Sequence, residues 1–392
     1  MTALEVVPVD GSPRAVARLA DALGAALDGT GPAVAPVAGP GAVPAGEPAP
    51  GTAVVIATSG STGLPKHVML TTAALTASAR ATERHLGGPA RWLLALPAEH
   101  VAGVQVIVRA LLAGAPPVVQ DLHDGFRPAE FAAATARLTG EAAGARRCTS
   151  LVPTQVLRIL DAGGPPLDAL CGYDAVLVGG AALDAGLRAR AEAAGVAVVA
   201  TYGMSETAGG CVYDGIPLDG VRVRLDADER ILLGGPTLAA GYLGRPDETA
   251  AAFTDGWFRT GDLGRWDGTR LTVLGRADDM IVTGGKKIAP AAVERALAAQ
   301  PGVGAACVVG LPDPQWGEVV GAALVLTGPS DLERLRAAVR ADLGRAAVPR
   351  RVRVVPELPL RGVGKPDRAA VRALLTAEKG DTNSEDADAP NR

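Results

Sequence analysis

The stretch Thr58-Ser-Gly-Ser-Thr-Gly-Leu-Pro-Lys66 contains the residue types that bind a phosphate group. Its two glycines let backbone N–H groups approach an anion closely, its hydroxyl groups add donors, and Lys66 adds positive charge. The common nucleotide-binding loop has four residues between its glycines and Lys-Ser/Thr directly after the second, and this stretch has neither feature. The residues alone leave two interpretations open, a phosphate-binding loop and an exposed Gly/Ser turn after the apolar run 53–57.

Three residues elsewhere are candidates for contact with a ligand. His100 follows the strand-like run 91–97, and ligand crevices of open α/β sheets lie at such strand ends. Asp262 lies in Thr260-Gly-Asp262, and Lys365 lies in a Gly-containing loop, predicted to be flexible, before the last helix. Each residue has an ordinary alternative, namely a structural histidine, a turn aspartate and a solvated lysine.

An alternation of apolar strands and helices predicts an α/β fold with parallel β–α–β units as far as residue 207. We expect a helix at 11–29 and no regular element at 31–51, which is rich in Pro, Gly and Ala. Thr71 or Thr72 is expected to cap a helix that runs to about residue 84. Since turns after parallel strands meet at one edge, Gly179-Gly180 and Tyr202-Gly203 are expected near the opening loop.

The pattern changes from Val221 onwards to short antiparallel strands, which predict a meander or small distorted barrel. The polar stretch 275–279 predicts a domain boundary, and a small α+β domain is expected beyond it. The predicted organisation is an N-terminal domain at 1–274, a hinge at 275–279, a C-terminal lid domain at 280–377 and a disordered tail at 378–392.

The composition excludes several classes of protein. A formal charge of −4 gives no basic field for nucleic acid. No apolar run of about 18 residues could span a bilayer, and the first residues lack the features of a signal peptide, so we expect a cytoplasmic location. The cysteines Cys148, Cys171, Cys211 and Cys307 form no CxxC pair and are expected to be buried free thiols.

In their order along the chain, the motifs resemble those of the adenylate-forming enzymes, which include acyl- and aryl-CoA synthetases, firefly luciferase and the adenylation domains of peptide synthetases. The motifs are Thr58 to Lys66, Gly179-Gly-Ala181, Tyr202-Gly-Met-Ser-Glu-Thr207, Thr260-Gly-Asp262, Gly275-Arg276 with Asp278, and Gly364-Lys365. Each motif is weak alone, but the ordered set is specific. The resemblance implies a large N-terminal domain of parallel α/β sheets with a small distorted β-barrel, followed by a small mobile α+β domain.

Within that superfamily the sequence is most similar to the o-succinylbenzoate–CoA ligases of menaquinone biosynthesis, in their short actinobacterial form. The stretches that carry this similarity are 150–155, 201–215 and 279–290. The opening loop begins near residue 58, so much of the N-terminal region of longer relatives is absent. Three alternatives remain, namely another aryl- or acyl-CoA ligase, a stand-alone adenylation enzyme that loads a carrier protein, and a non-catalytic nucleotide-binding relative. Glu206, Asp262 and Lys365 disfavour the last.

The resemblance implies two half-reactions that use ATP, Mg²⁺ and CoA. The carboxylate of an aromatic acid first attacks the α-phosphorus of ATP, which gives an acyl-adenylate and pyrophosphate. The CoA thiol then attacks the activated carbonyl and expels AMP. The implied partners are these small molecules, without nucleic acid or membrane insertion, and a homodimer stays open.

The resemblance also assigns residue roles. The catalytic residues are Lys365, Glu206 as the Mg²⁺ ligand, Thr207 at the α-phosphate, and Lys66. The nucleotide-binding residues are Thr58, Ser59, Gly60, Ser61, Thr62, Gly63, Lys66, Gly179, Gly180, Ala181, Tyr202, Gly203, Thr207, Asp262 at the ribose and Arg276. The substrate-binding residues are His100, Gly103, Gly203, Met204 and Gly209, with Gly210 beside them. Gly284, Gly285 and Lys286 are assigned to CoA, and Asp278 to the hinge.

Overall fold

A computed structural model describes residues 4–39, 44, 46–58, 65–141, 144–361 and 365–377, with Arg361 and Lys365 described by their backbone. The chain divides into two compact units, Met1–Val273 and Leu274–Arg392. The predicted disordered tail at 378–392 lies outside the described residues. Within those residues, no helix has the length and apolar character needed to cross a membrane.

The first unit is built from strands and helices in alternation. Its strands are β1 (Leu4–Val9), β2 (Ala33–Ala38), β3 (Thr52–Thr58), β4 (Lys66–Thr71), β5 (Arg91–Leu94), β6 (Val118–Val119), β7 (Arg147–Leu151), β8 (Ala175–Val178), β9 (Val198–Met204), β10 (Gly209–Tyr213), β11 (Ile216–Pro217), β12 (Arg222–Leu225), β13 (Arg230–Gly234), β14 (Gly241–Tyr242), β15 (Phe253–Thr254), β16 (Trp257–Trp266) and β17 (Leu271–Arg276), in which the boundary between the units falls. Its helices are α1 (Pro13–Leu27), α2 (Thr72–His85), α3 (Val101–Leu112), α4 (Pro128–Glu141), α5 (Pro153–Ala162), α6 (Gly164–Cys171), α7 (Ala185–Ala193) and α8 (Pro246–Ala252), with a 3₁₀ turn at Ser205–Thr207.

The parallel units predicted from the sequence form one sheet, in the order β11-β10-β9-β8-β7-β5-β6. The strands from β6 to β9 are parallel, and β10 and β11 continue the sheet antiparallel. Helices cover this sheet, and the core between them includes Phe131, Leu138, Val156 and Ile159, all fully buried. The α/β fold class is therefore confirmed.

The prediction that the opening loop lies at the same sheet edge as Gly179-Gly180 and Tyr202-Gly203 is wrong. Strand β3, which leads into the opening loop, lies in a separate sheet with the order β1-β2-β3-β4-β14. The prediction that 31–51 contains no regular element is also wrong, because β2 lies within it and pairs in parallel with β1 and β3. The apolar run Ala33–Ala38 is short and contains Pro36, so neighbouring strands rather than local propensity decide its conformation.

The helix predicted after the opening loop is confirmed as α2. Thr71 is its N-cap, and the Thr71 hydroxyl accepts a hydrogen bond from the Ala74 N–H at 3.0 Å. The antiparallel region is also confirmed, since β12, β13, β16 and β15 lie side by side and β17 pairs with β16. This sheet positions Asp262, which lies within β16 and not in a turn.

The second unit is the α+β arrangement that the sequence predicted. Its elements are β18 (Ile281–Thr283), β19 (Lys286–Ile288), α9 (Pro290–Ala298), β20 (Val303–Asp313), β21 (Gly317–Leu326), α10 (Leu332–Leu343), a 3₁₀ turn at Arg345–Ala347, β22 (Arg351–Val354), β23 (Leu360–Arg361), β24 (Lys365–Pro366) and α11 (Arg368–Thr376). The flexible loop predicted around Lys365 is corrected at that residue, because Lys365 starts β24 and pairs with Arg361 of β23.

Candidate active site

The opening loop joins two antiparallel strands. Thr58, the last residue of β3, is paired with Lys66, the first residue of β4, and the Thr58 hydroxyl donates to the Lys66 carbonyl at 3.3 Å. The predicted ligands Ser59 to Gly63 lie outside the described residues. The hairpin therefore fixes both ends of the loop, and the roles of the residues between them stay predictions.

Lys66 has a carboxylate partner in the first unit. Its Nζ lies 2.7 Å from Glu248 Oε2 and 4.7 Å from the centre of the Tyr242 ring. Arg245 NH1 contacts the other oxygen of Glu248 at 2.7 Å. Hydrogen bonds from Lys66 and Arg245 hold the pKa of the Glu248 carboxyl below its usual value. Glu248 is thus ionised at neutral pH and occupies the position at Lys66 that a phosphate oxygen could take.

The turn Ser205–Thr207 presents Glu206. Tyr242 donates its phenol hydrogen to Glu206 Oε1 at 3.0 Å, and the Ala239 N–H donates to the Glu206 carbonyl at 2.9 Å. Burial, and then the Glu206 carboxylate, raise the pKa of Tyr242, so the phenol remains a donor. Residues 239–242 also bond to β4, through Ala240 N to Met69 O at 2.9 Å and the pairing of β14 with β4. This segment connects the turn to the opening hairpin, although their strands belong to different sheets.

The Glu206 carboxylate suits a divalent cation. It forms no ion pair with any described lysine, arginine or histidine, and the described residues contain no cluster of three or more His, Cys, Asp or Glu that could enclose a metal. Mg²⁺ is commonly bound through one or two carboxylates together with substrate phosphates and water. A single carboxylate that shares Tyr242 with Lys66 of the predicted phosphate-binding loop therefore fits Mg²⁺ that arrives with a nucleotide.

Thr207 is fully buried and its hydroxyl already has partners. The hydroxyl accepts from the Met204 N–H at 3.0 Å and lies 2.8 Å from the Gly209 carbonyl and 3.1 Å from the Met204 carbonyl. One hydroxyl hydrogen can be donated to only one of these oxygens at a time. Binding of the α-phosphate through this hydroxyl would therefore require Thr207 to give up an internal acceptor.

Tyr202 and Asp262 meet across the first unit. The Tyr202 hydroxyl, on β9, donates to Asp262 Oδ2 at 2.8 Å, and the Asp262 N–H donates to Thr260 Oγ1 at 3.0 Å. Burial, and then the Asp262 carboxylate, raise the pKa of Tyr202 well above its usual value. The predicted ribose ligand and the predicted adenine-pocket residue are thus brought together, which the sequence did not specify.

Packing and backbone conformation explain why glycine stands at several positions of the predicted nucleotide and acyl pockets. A Cβ at Gly179, directly after β8, would lie 2.3 Å from Thr201 Oγ1, and one at Gly203 would lie 2.1 Å from the Gly209 carbonyl. Gly180 has a φ of +78°, which favours glycine. Gly103 is buried in α3, where a Cβ would meet the Pro97 carbonyl at 2.2 Å. Close packing explains Gly103, Gly179 and Gly203 without a ligand, and the positive φ explains Gly180, so their binding roles stay predictions.

His100 is placed at the N-cap of α3. Its side chain makes no capping bond, is 45% exposed and lies 4.0 Å from Glu99 Oε1. Met204 and Gly209 lie opposite each other in the paired strands β9 and β10. An exposed imidazole at a helix start can contact a ligand, which is compatible with the predicted acyl pocket.

The second unit holds the remaining predicted residues. Arg276 and Asp278 form a bidentate ion pair, with Nε–Oδ1 at 2.9 Å and NH2–Oδ2 at 3.0 Å. Gly284 and Gly285 have φ values of +53° and +75° in the tight connection between β18 and β19, and the exposed Lys286 starts β19. Arg276, predicted to lie near the ribose, therefore has the predicted hinge residue as a partner.

Sequence reasoning missed several residues that contact the predicted site. Tyr242 touches both Lys66 and Glu206, and Glu248 holds Lys66. The sequence offered one signal for Tyr242 and Glu248. The chain has only four tyrosines, and Tyr242 stands before the polar stretch Arg245 to Glu248. Nothing local marked Gln105 and Ser78, whose side chains bond to the carbonyl that follows Thr207.

Residues 6–243 match the family described as AMP-binding enzyme, and residues 292–365 match its C-terminal domain. The chain belongs to the AMP-binding enzyme family, as the ordered motifs indicated.

Comparison with individual proteins is more specific. The chain is 48% identical over 334 residues to the probable 2-succinylbenzoate–CoA ligase of Mycobacterium tuberculosis, covering 83% of this chain and 85% of that protein. It is similar to the solved structure of o-succinylbenzoate CoA synthetase from Bacillus subtilis with the acyl-adenylate intermediate OSB-AMP, at a TM-score of 0.70 and 28% identity over 82% of this chain and 69% of the other. The same synthetase has been solved with ATP and magnesium ion, and its TM-score is 0.69 at 29% identity, with coverage of 81% and 69%. Amide bond synthetase McbA from Marinactinospora thermotolerans gives a TM-score of 0.75 at 29% identity, with coverage of 95% and 80%.

Proposed function

We propose that the protein is an AMP-forming ligase that joins 2-succinylbenzoate to CoA through an acyl-adenylate, a step of menaquinone biosynthesis. The observation that carries this assignment is the 48% identity to the probable 2-succinylbenzoate–CoA ligase, which extends over 83% of this chain. The arrangement of Lys66, Glu206 and Asp262 in the first unit supports the reaction type. ATP, CoA and the aromatic acid are the substrates.

The first half-reaction brings two anions together, so it needs positive charge and fixed donors where negative charge develops. The hairpin loop ending in Lys66 binds the β- and γ-phosphates, and Lys66 exchanges Glu248 for phosphate oxygen as ATP enters. Lys365 contacts the substrate carboxylate and the α-phosphate. Thr207 contacts the α-phosphate after giving up an internal acceptor.

Glu206 binds the Mg²⁺ that accompanies ATP, and this cation neutralises phosphate charge during the transfer. Tyr242 keeps one oxygen of Glu206 hydrogen-bonded, which orients the carboxylate. Asp262 accepts from the ribose hydroxyls while Tyr202 donates to its Oδ2. Arg276 binds near the ribose, and Gly179 to Ala181 with Tyr202 and Gly203 shape the adenine pocket.

The second half-reaction is assigned to a different arrangement of the chain. The domains are 1–274 and 280–377, and residues 275–279 form the hinge, with Asp278 absorbing the backbone change. Rotation removes Lys365 from the acyl group and brings Gly284, Gly285 and Lys286 to the CoA thiol. The thiol then attacks the acyl carbonyl and AMP leaves.

The acyl pocket is lined by His100, Gly103, Gly203, Met204 and Gly209. The exposed imidazole of His100 at the start of α3 supports its contact with a substrate carboxylate. We place the enzyme in the cytoplasm because ATP and CoA are supplied there. A homodimer stays a prediction, which the molar mass in solution would measure.

The assignment is tested with a panel of acids incubated with ATP, Mg²⁺ and CoA, following pyrophosphate, AMP and thioester. We expect turnover with 2-succinylbenzoate and little with benzoate or fatty acids. Efficient turnover of a simple benzoate or a fatty acid, without turnover of 2-succinylbenzoate, would refute the substrate and leave the reaction type intact.

A second candidate differs in the acceptor. The similarity to an amide bond synthetase over 95% of this chain favours an enzyme that passes the acyl group to an amine. Replacing CoA by amines, or by a phosphopantetheinylated carrier protein, separates these candidates. Thioester formed only with CoA supports the ligase, whereas amide formed at a comparable rate would favour the second candidate.

A further inference from the structure

The carbonyl of Ala208, directly after Glu206 and Thr207, receives two side-chain hydrogen bonds from distant parts of the chain. Ser78 Oγ, on α2, donates at 3.0 Å, and Gln105 Nε2, on α3, donates at 2.8 Å. Ser78 is fully buried and Gln105 is 1% exposed. Two helices are thus attached at one oxygen to the turn that carries the predicted metal and phosphate ligands.

The turn needs such support because its own structure is short and strained. Ser205–Thr207 is a three-residue 3₁₀ turn, and Ala208 has φ and ψ of 50° and 41°. This left-handed conformation is disfavoured for a residue with a Cβ atom and persists where the surroundings impose it. The two donors on the Ala208 carbonyl, together with the 3.1 Å bond from the Ala208 N–H to the Ser205 carbonyl, hold that conformation directly beside Thr207.

The orientation of the Gln105 amide follows from its neighbours. Its nitrogen lies 2.8 Å from the Ala208 carbonyl and 3.5 Å from the Leu75 carbonyl, and both of these groups are acceptors. Gln105 Oε1 is buried without a hydrogen-bond partner. A buried unpaired acceptor destabilises a protein, and the Ala208 carbonyl keeps the Ser78 hydroxyl as a donor when the Gln105 amide is removed. Stability alone therefore does not account for an amide at position 105.

The geometry points to Gln105 and Ser78 as positioning residues for the Glu206–Thr207 turn. We infer that they hold Ala208 so that the Glu206 carboxylate and the Thr207 hydroxyl meet Mg²⁺ and the α-phosphate in the adenylation half-reaction. This inference rests on the proposed function, because that function assigns the roles of Glu206 and Thr207. Neither residue touches the reacting atoms in this assignment.

Gln105→Leu removes the donor and keeps the side-chain volume similar. We expect adenylation, measured as pyrophosphate release, to fall about 10- to 100-fold in kcat/KM for ATP, since a 1 Å displacement of reacting groups can lower a rate by about 100-fold. The half-saturating Mg²⁺ concentration should rise, while the thermal midpoint stays within a few degrees of the parent because the Ser78 bond remains. Thioester formation from supplied acyl-adenylate should be nearly unchanged.

Ser78→Ala removes the second donor and gives an independent measurement. We expect a smaller shift of the Mg²⁺ dependence in the same direction, and a larger one in the double variant. Gln105→Glu should be the most damaging change at position 105, because it places a carboxylate against two carbonyl oxygens.

Tyr173→Phe serves as the matched control. It removes a buried hydrogen bond of similar length, 2.8 Å to Thr135 Oγ1, in the helix-covered core of the first unit. We expect Tyr173→Phe to lower the thermal midpoint without changing the Mg²⁺ dependence. If Gln105→Leu behaved like Tyr173→Phe, or kept the parent Mg²⁺ dependence and adenylation rate, the positioning role would be excluded.

The parent protein separates failure of this inference from failure of the proposed function. If the parent adenylates a different acid, the same comparison is made with that acid. If it adenylates none of the panel, calorimetric titration with ATP and Mg²⁺ replaces the rate. Weaker Mg²⁺-dependent binding in Gln105→Leu would still support the inference, and unchanged binding would overturn it.

Discussion

The turn at Ser205–Thr207 and the Arg276–Asp278 ion pair are both assigned to the reaction, yet their contacts span very different distances along the chain. Distant residues hold the turn: Ser78 and Gln105 bond to the Ala208 carbonyl, and Tyr242 bonds to Glu206. The ion pair of Arg276 with Asp278 is local, since the two residues are two positions apart and about half exposed. The residues that follow it have distant partners in the second unit, as in the 3.3 Å ion pair of Asp279 with Arg368. The turn is therefore fixed by the fold of its unit, whereas the Arg276–Asp278 ion pair joins residues two positions apart.

This difference corresponds to the two half-reactions. Adenylation depends on donors and charges that are in place before the transition state forms, and we propose that the buried hydrogen bonds from two helices provide that order. A hinge has to absorb a large backbone change, so the residues in it should have few contacts that such a change would break. Variants in the two regions should accordingly separate the half-reactions.

The largest effect is expected from Lys365→Ala. Loss of this positive charge should lower the adenylation rate by about 100-fold or more, because a fixed group that stabilises developing charge is worth about that much. Thioester formation from supplied acyl-adenylate should change little. Single-turnover assays of pyrophosphate and of thioester measure the two steps separately.

The counterpart of that variant is Lys286→Ala, in the segment assigned to CoA. It should raise the KM for CoA and leave adenylation near the parent rate. Equal losses in both steps for Lys365→Ala would refute the division of labour between the two arrangements.

The next largest effect is expected from Asp262→Asn. An asparagine keeps the shape but removes the charge that accepts from the ribose hydroxyls, and hydrogen bonds to charged groups contribute about 1.5–3 kcal/mol. We expect the KM for ATP to rise about 10- to 100-fold, and the preference for ATP over 2′-deoxyATP to decrease. Tyr202→Phe, which removes only the 2.8 Å bond to Asp262 Oδ2, should give a smaller change in the same direction. An unchanged preference in Asp262→Asn would exclude the ribose role.

A smaller effect is expected from Glu248→Gln. The pair with Lys66 is partly exposed, so its contribution is modest and is screened by salt. Since the pKa of Glu248 is lowered, the carboxylate stays charged at assay pH, and its pairing is lost only as the pH falls through that lowered pKa. Removing this competitor should lower the KM for ATP about threefold, more at low salt than at high salt.

Glu83→Gln is the control for that change. It removes another 2.7 Å surface ion pair, with Arg80, that contacts none of the predicted ligands. It should leave the KM for ATP unchanged at every salt concentration. A higher KM in Glu248→Gln would mean that Glu248 positions Lys66 for phosphate and does not compete with it.

The sequence predicted correctly those elements that short-range patterns of apolar, capping and turn residues determine. The spacing of apolar side chains and the turn residues predicted three features that the structure confirms. These are the cap at Thr71, the parallel units and the antiparallel strands around Asp262. The sequence did not predict that β3 and β4 belong to a separate sheet, because membership of a sheet depends on partner strands distant in sequence. For the same reason, the contacts of Tyr242 with Glu206 and of Gln105 with Ala208 could not be predicted, since 36 and 103 residues separate these pairs.

The last prediction concerns the reactivity of the cysteine thiols, which has no effect on activity. It tests whether the two units unfold independently. Cys211, just after the turn, and Cys307, in the second unit, are fully buried, and burial raises the pKa of each thiol to about 12. Cys148 is also buried, whereas Cys171 is partly exposed, which corrects the expectation that all four are buried. Because the thiolate is the reactive form, the native protein at pH 8 should react rapidly at no more than Cys171.

In a Cys171→Ser background, labelling at increasing denaturant reports the opening of each unit. The second unit is the smaller and buries less surface, so Cys307 should become reactive at a lower denaturant concentration than Cys211. ATP with Mg²⁺ should protect Cys211 further, since a ligand stabilises the state that binds it, and the turn beside Cys211 carries Glu206. Simultaneous labelling of both thiols at every denaturant concentration would mean that the units unfold together. In that case the unit that carries the buried turn and the unit that carries the ion pair would not differ in stability, and the contrast between them would be one of contacts alone.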